Sequence, residues 1–106
     1  MAEEGLPVEN PRASERRLWE AFARGTFVDL RSGDPGTDDP ARAHGWGESR
    51  RVRAEVVAAL LLGAVAPSAG HVAGVRLAGA VVEGRLNLRH GVISCVAELT
   101  DCCFLD

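Results

Sequence analysis

The stretch Val75-Arg76-Leu77-Ala78-Gly79-Ala80-Val81-Val82 decides the fold, because it returns as Leu86-Asn87-Leu88-Arg89-His90-Gly91-Val92-Ile93 and again as Ala97-Glu98-Leu99-Thr100-Asp101-Cys102-Cys103-Phe104. The copies start eleven residues apart both times. Each opens with two apolar positions flanking a polar one (Arg76, Asn87, Glu98), carries a small residue sixth (Ala80, Gly91, Cys102) and a large apolar residue eighth (Val82, Ile93, Phe104). An apolar, polar, apolar triplet is the local mark of a strand with one buried face. Inward residues about five positions apart, with small residues or glycine where the backbone bends, suit a narrow β-solenoid. Four sides to a coil then make a coil of about 22 residues, or two repeats. The competing expectation is a β-meander with strands at 75–77, 80–82, 86–88, 92–93 and 96–99.

Outward from the repeat, the preceding sequence reads as helical. Ser49 is placed to cap a helix from Arg50 to Leu62, closed by Gly63 and followed by Pro67. Val52, Val56, Ala59 and Leu60 fall on one side of it, and so broad an apolar surface requires cover. A first helix starts at Ser14 and runs Glu15 to Arg24, with Gly25 at its C-terminal stop. Between them, Thr26 to Leu30 reads as a short extended piece, and residues 31–47 as a long loop rich in Gly, Pro and Asp. The expected organisation is a loose arm over 1–13, a helical cap over 14–70 containing the 31–47 loop, and repeats over 71–106 making about one and a half coils. The expected fold is α+β: two N-terminal helices capping the start of a right-handed parallel β-helix (solenoid). Because repeat arrays gain stability from further units, the chain also reads as a fragment of a longer repeat protein.

Composition bounds the function classes. At 106 residues the chain holds one small domain, and 46% hydrophobic with 25% charged residues is a globular composition. All twelve basic residues are Arg, and the net charge of −3 offers no basic field for nucleic acid. The longest strongly apolar run, Val56 to Ala66, is far too short for a bilayer. Three cysteines and no secretory signal point to a reducing, cytoplasmic setting without a disulfide framework.

The repeat segment Val75-Arg76-Leu77-Ala78-Gly79-Ala80-Val81-Val82-Glu83-Gly84-Arg85-Leu86-Asn87-Leu88, with Leu99-Thr100-Asp101-Cys102-Cys103-Phe104, resembles the repeat region of actinobacterial pentapeptide-repeat-like, right-handed β-helix proteins. Upstream, the segment from Arg17 through Trp19 and Phe22 to Arg31, the Gly45-Trp46-Gly47 turn, and the segment from Val52 to Gly63 resemble the helical N-terminal region of the same proteins. The period here is eleven, where the strict pentapeptide pattern has ten. These proteins are generally longer and often labelled membrane-associated oxidoreductases. The resemblance therefore implies a membrane-associated longer form and a redox cofactor site, for which these residues offer no location.

Each chemical motif has a plainer explanation. Gly45-Trp46-Gly47 lacks the third glycine and the preceding strand of a dinucleotide fingerprint. Asp34, Asp38 and Asp39 are three carboxylates in six residues without calcium-loop spacing, and read as a solvated turn cluster. Cys95, Cys102 and Cys103 with His90 contain no paired zinc spacing, and Cys102 occupies the repeat's small inward position. His44, His71 and His90 lie far apart with no nucleophile elbow, and Arg50, Arg51 and Arg53 stand without a second basic cluster.

The sequence thus assigns no catalytic residue, no cofactor-binding residue, no metal ligand and no cofactor. It leans away from an enzyme and toward a non-catalytic scaffold or protein-interaction module. Its partner would be an end-to-end second copy or another protein at the open C-terminal coil, with no nucleic acid and no transmembrane segment. The alternatives are the oxidoreductase of the family label, with its site elsewhere, and mimicry of nucleic acid by an acidic surface.

Overall fold

The computed structural model describes residues 6–88, 91–93 and 95–105. Helix α1 spans Ala13–Phe22, and its start is fixed by Glu15, whose carboxylate accepts the Arg12 amide at 2.7 Å in a capping-box arrangement. Its end is fixed by Gly25, which adopts φ +64° and donates its amide to the Phe22 carbonyl. Leu18, Trp19 and Phe22 face inward at 4% exposure or less. Ser14 is not the cap the sequence suggested. It lies inside the helix, and its hydroxyl donates across the molecule to the Arg51 carbonyl at 2.7 Å.

The second helix is shorter than its pattern suggests. Glu48–Arg50 form one 3-10 turn, Arg51–Arg53 form a strand, and helix α2 covers only Ala54–Leu61. The alternation in Arg51-Val52-Arg53 explains the strand, since it buries Val52 completely while both arginines remain half-exposed.

The described residues hold six strands in chain order: β1 (Val28–Asp29), β2 (Arg51–Arg53), β3 (Gly74–Ala78), β4 (Val81–Glu83), β5 (Val96–Thr100) and β6 (Cys103–Leu105). They form two parallel three-stranded sheets, one ordered β1-β3-β5 and the other β2-β4-β6. The chain contributes one strand to each sheet in turn, so β1/β2, β3/β4 and β5/β6 make three successive layers. In register, Val28, Leu77 and Leu99 form one column, and Val52, Val82 and Phe104 another.

The expected right-handed β-helix is not seen. In its place stands a small α+β structure with two parallel sheets, and the eleven-residue units are not equivalent: residues 86–88 and 91–93, the middle unit, contain no strand. The reason is what lies beside them. A Cβ on Gly84 would stand 3.8 Å from the Ala54 Cβ, and one on Gly91 would overlap the Leu62 side chain, so Gly84 and Gly91 lie against the start and the C-cap of α2. A helix has spent its backbone donors and acceptors internally and offers no ladder to a neighbouring strand. Leu86 and Leu88 still pack on the core, which accounts for the apolar alternation without strand pairing. The meander fails as well, because every pairing among the described residues is parallel.

The main core lies where the inner sheet faces meet the helices. Leu18, Phe22, Val28, Val52, Val56, Leu60, Val75, Leu77 and Val82 are each at most 2% exposed. A smaller cluster of Ala43, Trp46 and Val81 covers the other face of β4.

Candidate functional site

The two sheets finish differently at their two ends. At the first, β2 is sealed by side chains from α1. The Ser14 hydroxyl donates to the Arg51 carbonyl at 2.7 Å, and the Arg53 amide donates to Glu15 Oε2 at 2.9 Å. Glu15 is fully buried and also accepts from Arg53 Nε at 2.9 Å and Nη2 at 2.8 Å. Burial pushes its carboxyl up, but these Arg53 bonds and the Arg12 amide outweigh that and hold it below its ordinary value. Beside it, Glu83 bridges Arg12 and Arg51, whose guanidinium groups hold its carboxyl down in turn.

At the other end, β5 and β6 are the outer strands of their sheets. The Val96 amide donates to Ala73, and the Gly79 amide to Thr100, so the even-numbered residues of β5 bond toward β3. By the alternation of a parallel ladder, the amides and carbonyls of Ala97 and Leu99 point outward. The Cys103 amide donates to Ala80 and the Gly84 amide to Leu105, so in β6 the odd-numbered residues bond toward β4 and the backbone groups of Phe104 point outward. Among the described residues the interior columns also reach their last members here. Val52 and Val82 are fully buried, whereas Phe104, next in their column, is 50% exposed; Leu99 is half-buried above a fully buried Leu77. Across both edge strands the one charged residue is Glu98, 58% exposed, with Arg76 Nε 3.9 Å from its Oε1.

The residues considered from sequence are scattered, and most have structural employment. Asp38 accepts from the Ser32 and Gly33 amides, the Ser32 hydroxyl and Arg50 Nη1, and so pins the 31–47 loop. Burial raises its carboxyl, but those donors leave it below the ordinary carboxylate range. Asp34 accepts from Gly36 and Thr37, and Asp39 caps the 3-10 turn at Pro40–Gly45. Trp46, between Gly45 and Gly47, is buried, donates its indole N–H to the Thr37 carbonyl, and lies under the Arg50 guanidinium 3.7 Å away. Arg50 therefore serves the loop, while Arg51 and Arg53 hold Glu83 and Glu15.

Cys102 donates to the Thr100 carbonyl, and burial pushes its thiol up, away from reactive thiolate. Cys95 and Cys103 are free, His90 lies outside the described residues, and among the described residues no His, Cys, Asp and Glu group has metal-site geometry. His44 lies in the last turn of the 3-10 segment Pro40–Gly45, and His71 borders an apolar cavity of about 450 Å³ lined by Phe22 and Leu60. An open polar hollow of about 590 Å³ runs along Asp29, Arg31, Asp38 and Asp101, where Arg31 holds the Asp29 carboxyl at about 2.

Sequence reasoning missed Glu15 and the outer edge. Glu15 stands three residues after Arg12, the capping-box position, which was the available signal. In comparisons with known proteins, no family model, no curated protein and no solved structure matches the chain. Among the described residues no helix is long and apolar enough to cross a membrane.

Proposed function

We propose that the chain is a non-catalytic protein-interaction module that receives an extended segment of another polypeptide on the β5/β6 edge. The observation that carries this reading is the contrast between the two sheet ends. Side chains of α1 occupy the outward backbone groups of β2, whereas Ala97, Leu99 and Phe104 present theirs beside half-exposed apolar side chains. An edge that keeps ladder groups and apolar columns open is a template for strand addition. The same edge offers little blunting, since it holds no proline and one charge.

No observation among the described residues favours the oxidoreductase reading over this one. Incubation of the purified protein with flavin and nicotinamide cofactors, followed by gel filtration and an absorbance spectrum, separates the two. The module reading expects neither cofactor to co-elute; stoichiometric retention of either overturns it.

A further inference from the structure

We propose that the segment received by β5/β6 carries a basic residue between two apolar ones and a further apolar residue five places on, laid parallel to β5. This rests on the module reading and names the chemistry of its partner. Register supplies the pattern. A strand continuing the sheet places one side chain over Glu98, one over Leu99 and, five positions later, one over Phe104.

Leu99 and Phe104 end apolar columns, so apolar side chains complete them. Glu98 has Arg76 3.9 Å away on the β3 side and solvent on the other, and like charges opposed across strands repel. A cation therefore fits above it. The nearby Asp101 has a cation of its own in Arg31, whose Nη1 donates to it at 3.3 Å.

A second copy of the chain is a poor occupant. The edge strands contain no cation to meet Glu98, and the β2 edge that head-to-tail stacking requires is sealed by Ser14 and Glu15. The chain does contain one segment of the required kind, Val75-Arg76-Leu77 with Val82 five places beyond Leu77, and it lies in register beneath β5 and β6.

A synthetic peptide with the sequence of residues 74–83 is therefore the probe, titrated into the isotopically labelled protein and followed by amide NMR shifts. Saturable shifts at Ala97, Leu99 and Phe104 are expected, with about 10-fold weaker binding when the peptide's Arg is replaced by Glu. The preference should reverse on Glu98→Arg protein and shrink in high salt. Ala97→Pro removes an outward amide that no intramolecular bond uses among the described residues, so it should keep the fold and abolish the shifts.

Equal binding of the two peptides overturns the basic pattern while leaving the module reading standing. Concentration-dependent self-association through the same amides, removed by Ala97→Pro, assigns the edge to a second copy and overturns the proposal. No shift at about 2 mM peptide, the weak limit for a useful contact, also overturns it. Failure of the module reading itself is read independently, in the cofactor-retention measurement.

Discussion

Glu15 is a fully buried carboxylate in a protein of modest core, and it survives there because four donors from Arg12 and Arg53 surround it. Glu15→Gln keeps the shape but removes the charge, and is expected to cost about 3 kcal/mol in urea unfolding near neutral pH. The sign of the pH dependence follows from its carboxyl lying below the ordinary 4.5. Such a group stabilises the fold above its unfolded value and loses that contribution as pH falls through the folded one. The gap between wild type and Glu15→Gln should therefore be widest near pH 7 and close as pH drops below about 4.5.

Two glycines offer a second comparison at this scale. Gly79 (φ +70°) and Gly84 (φ +95°) both sit in the left-handed region, but a Cβ on Gly79 would overlap the Arg31 side chain and lie 2.9 Å from the Arg31 amide. At Gly84 the nearest atom is in ordinary contact. Gly84→Ala should cost about 1 kcal/mol and Gly79→Ala about 3 kcal/mol or more, both measured by urea unfolding. Asp101 takes the same turn one layer on, with φ +49°, as an Asp tolerates better than most residues.

Among the elements, the 31–47 loop closes internally on Asp34 and Asp38, is tied at its end to Arg51 through the His44 and Trp46 carbonyls, and is anchored to the sheet turn by Arg50. Arg50 stacks on Trp46, donates from Nη1 to Asp38 and from Nε to the Gly79 carbonyl, and so ties the loop to the turn between β3 and β4. Arg50→Ala leaves Asp38 without its cation, and the expected outcome is rapid limited proteolysis within 31–47 while the helical far-ultraviolet signal persists. The same region shows what the sequence made legible. Both helices, the loop, Gly25 as a stop and the burial of Leu77 and Val82 follow from local patterning, which neighbouring residues decide. Strand β2 did not follow, because Arg51-Val52-Arg53 continues smoothly into an apolar helical stripe and its pairing with β4 lies 30 positions away, Val52 against Val82. Residues 86–88 and 91–93 show the converse: a strand-like pattern without a strand, near a helix that cannot pair with it. The open edge is equally a long-range property. Nothing local marks Ala97 and Leu99 as outward-facing until the parity of the β3 ladder is known.

At the scale of the whole molecule, burial is greatest in the middle of the three layers and falls from there to the last. Strands β3 and β4 are almost wholly buried, while β5 and β6 are half-buried or exposed along their length. Hydrogen exchange should follow that gradient: amides of β3 and β4 protected nearly to the global limit, and those of Ala97, Leu99 and Phe104 exchanging fast. Uniform protection across the layers would contradict it. The layered pairing also bears on how the chain finds its structure. Leu77 pairs with Leu99 only 22 positions on, whereas Val28 and Leu77 are 49 apart. The difference in loop-closure entropy between two such spans is about 0.7 kcal/mol, less than the burial of a single leucine. Chain distance is therefore too weak to make the nearby β5/β6 layer assemble early; buried area sets the order, and that area belongs to the layers around α1 and α2. Truncations such as Leu99→Ala should then speed unfolding and leave the refolding rate nearly unchanged, while Leu77→Ala slows refolding, so the final layer docks on the downhill side of the barrier.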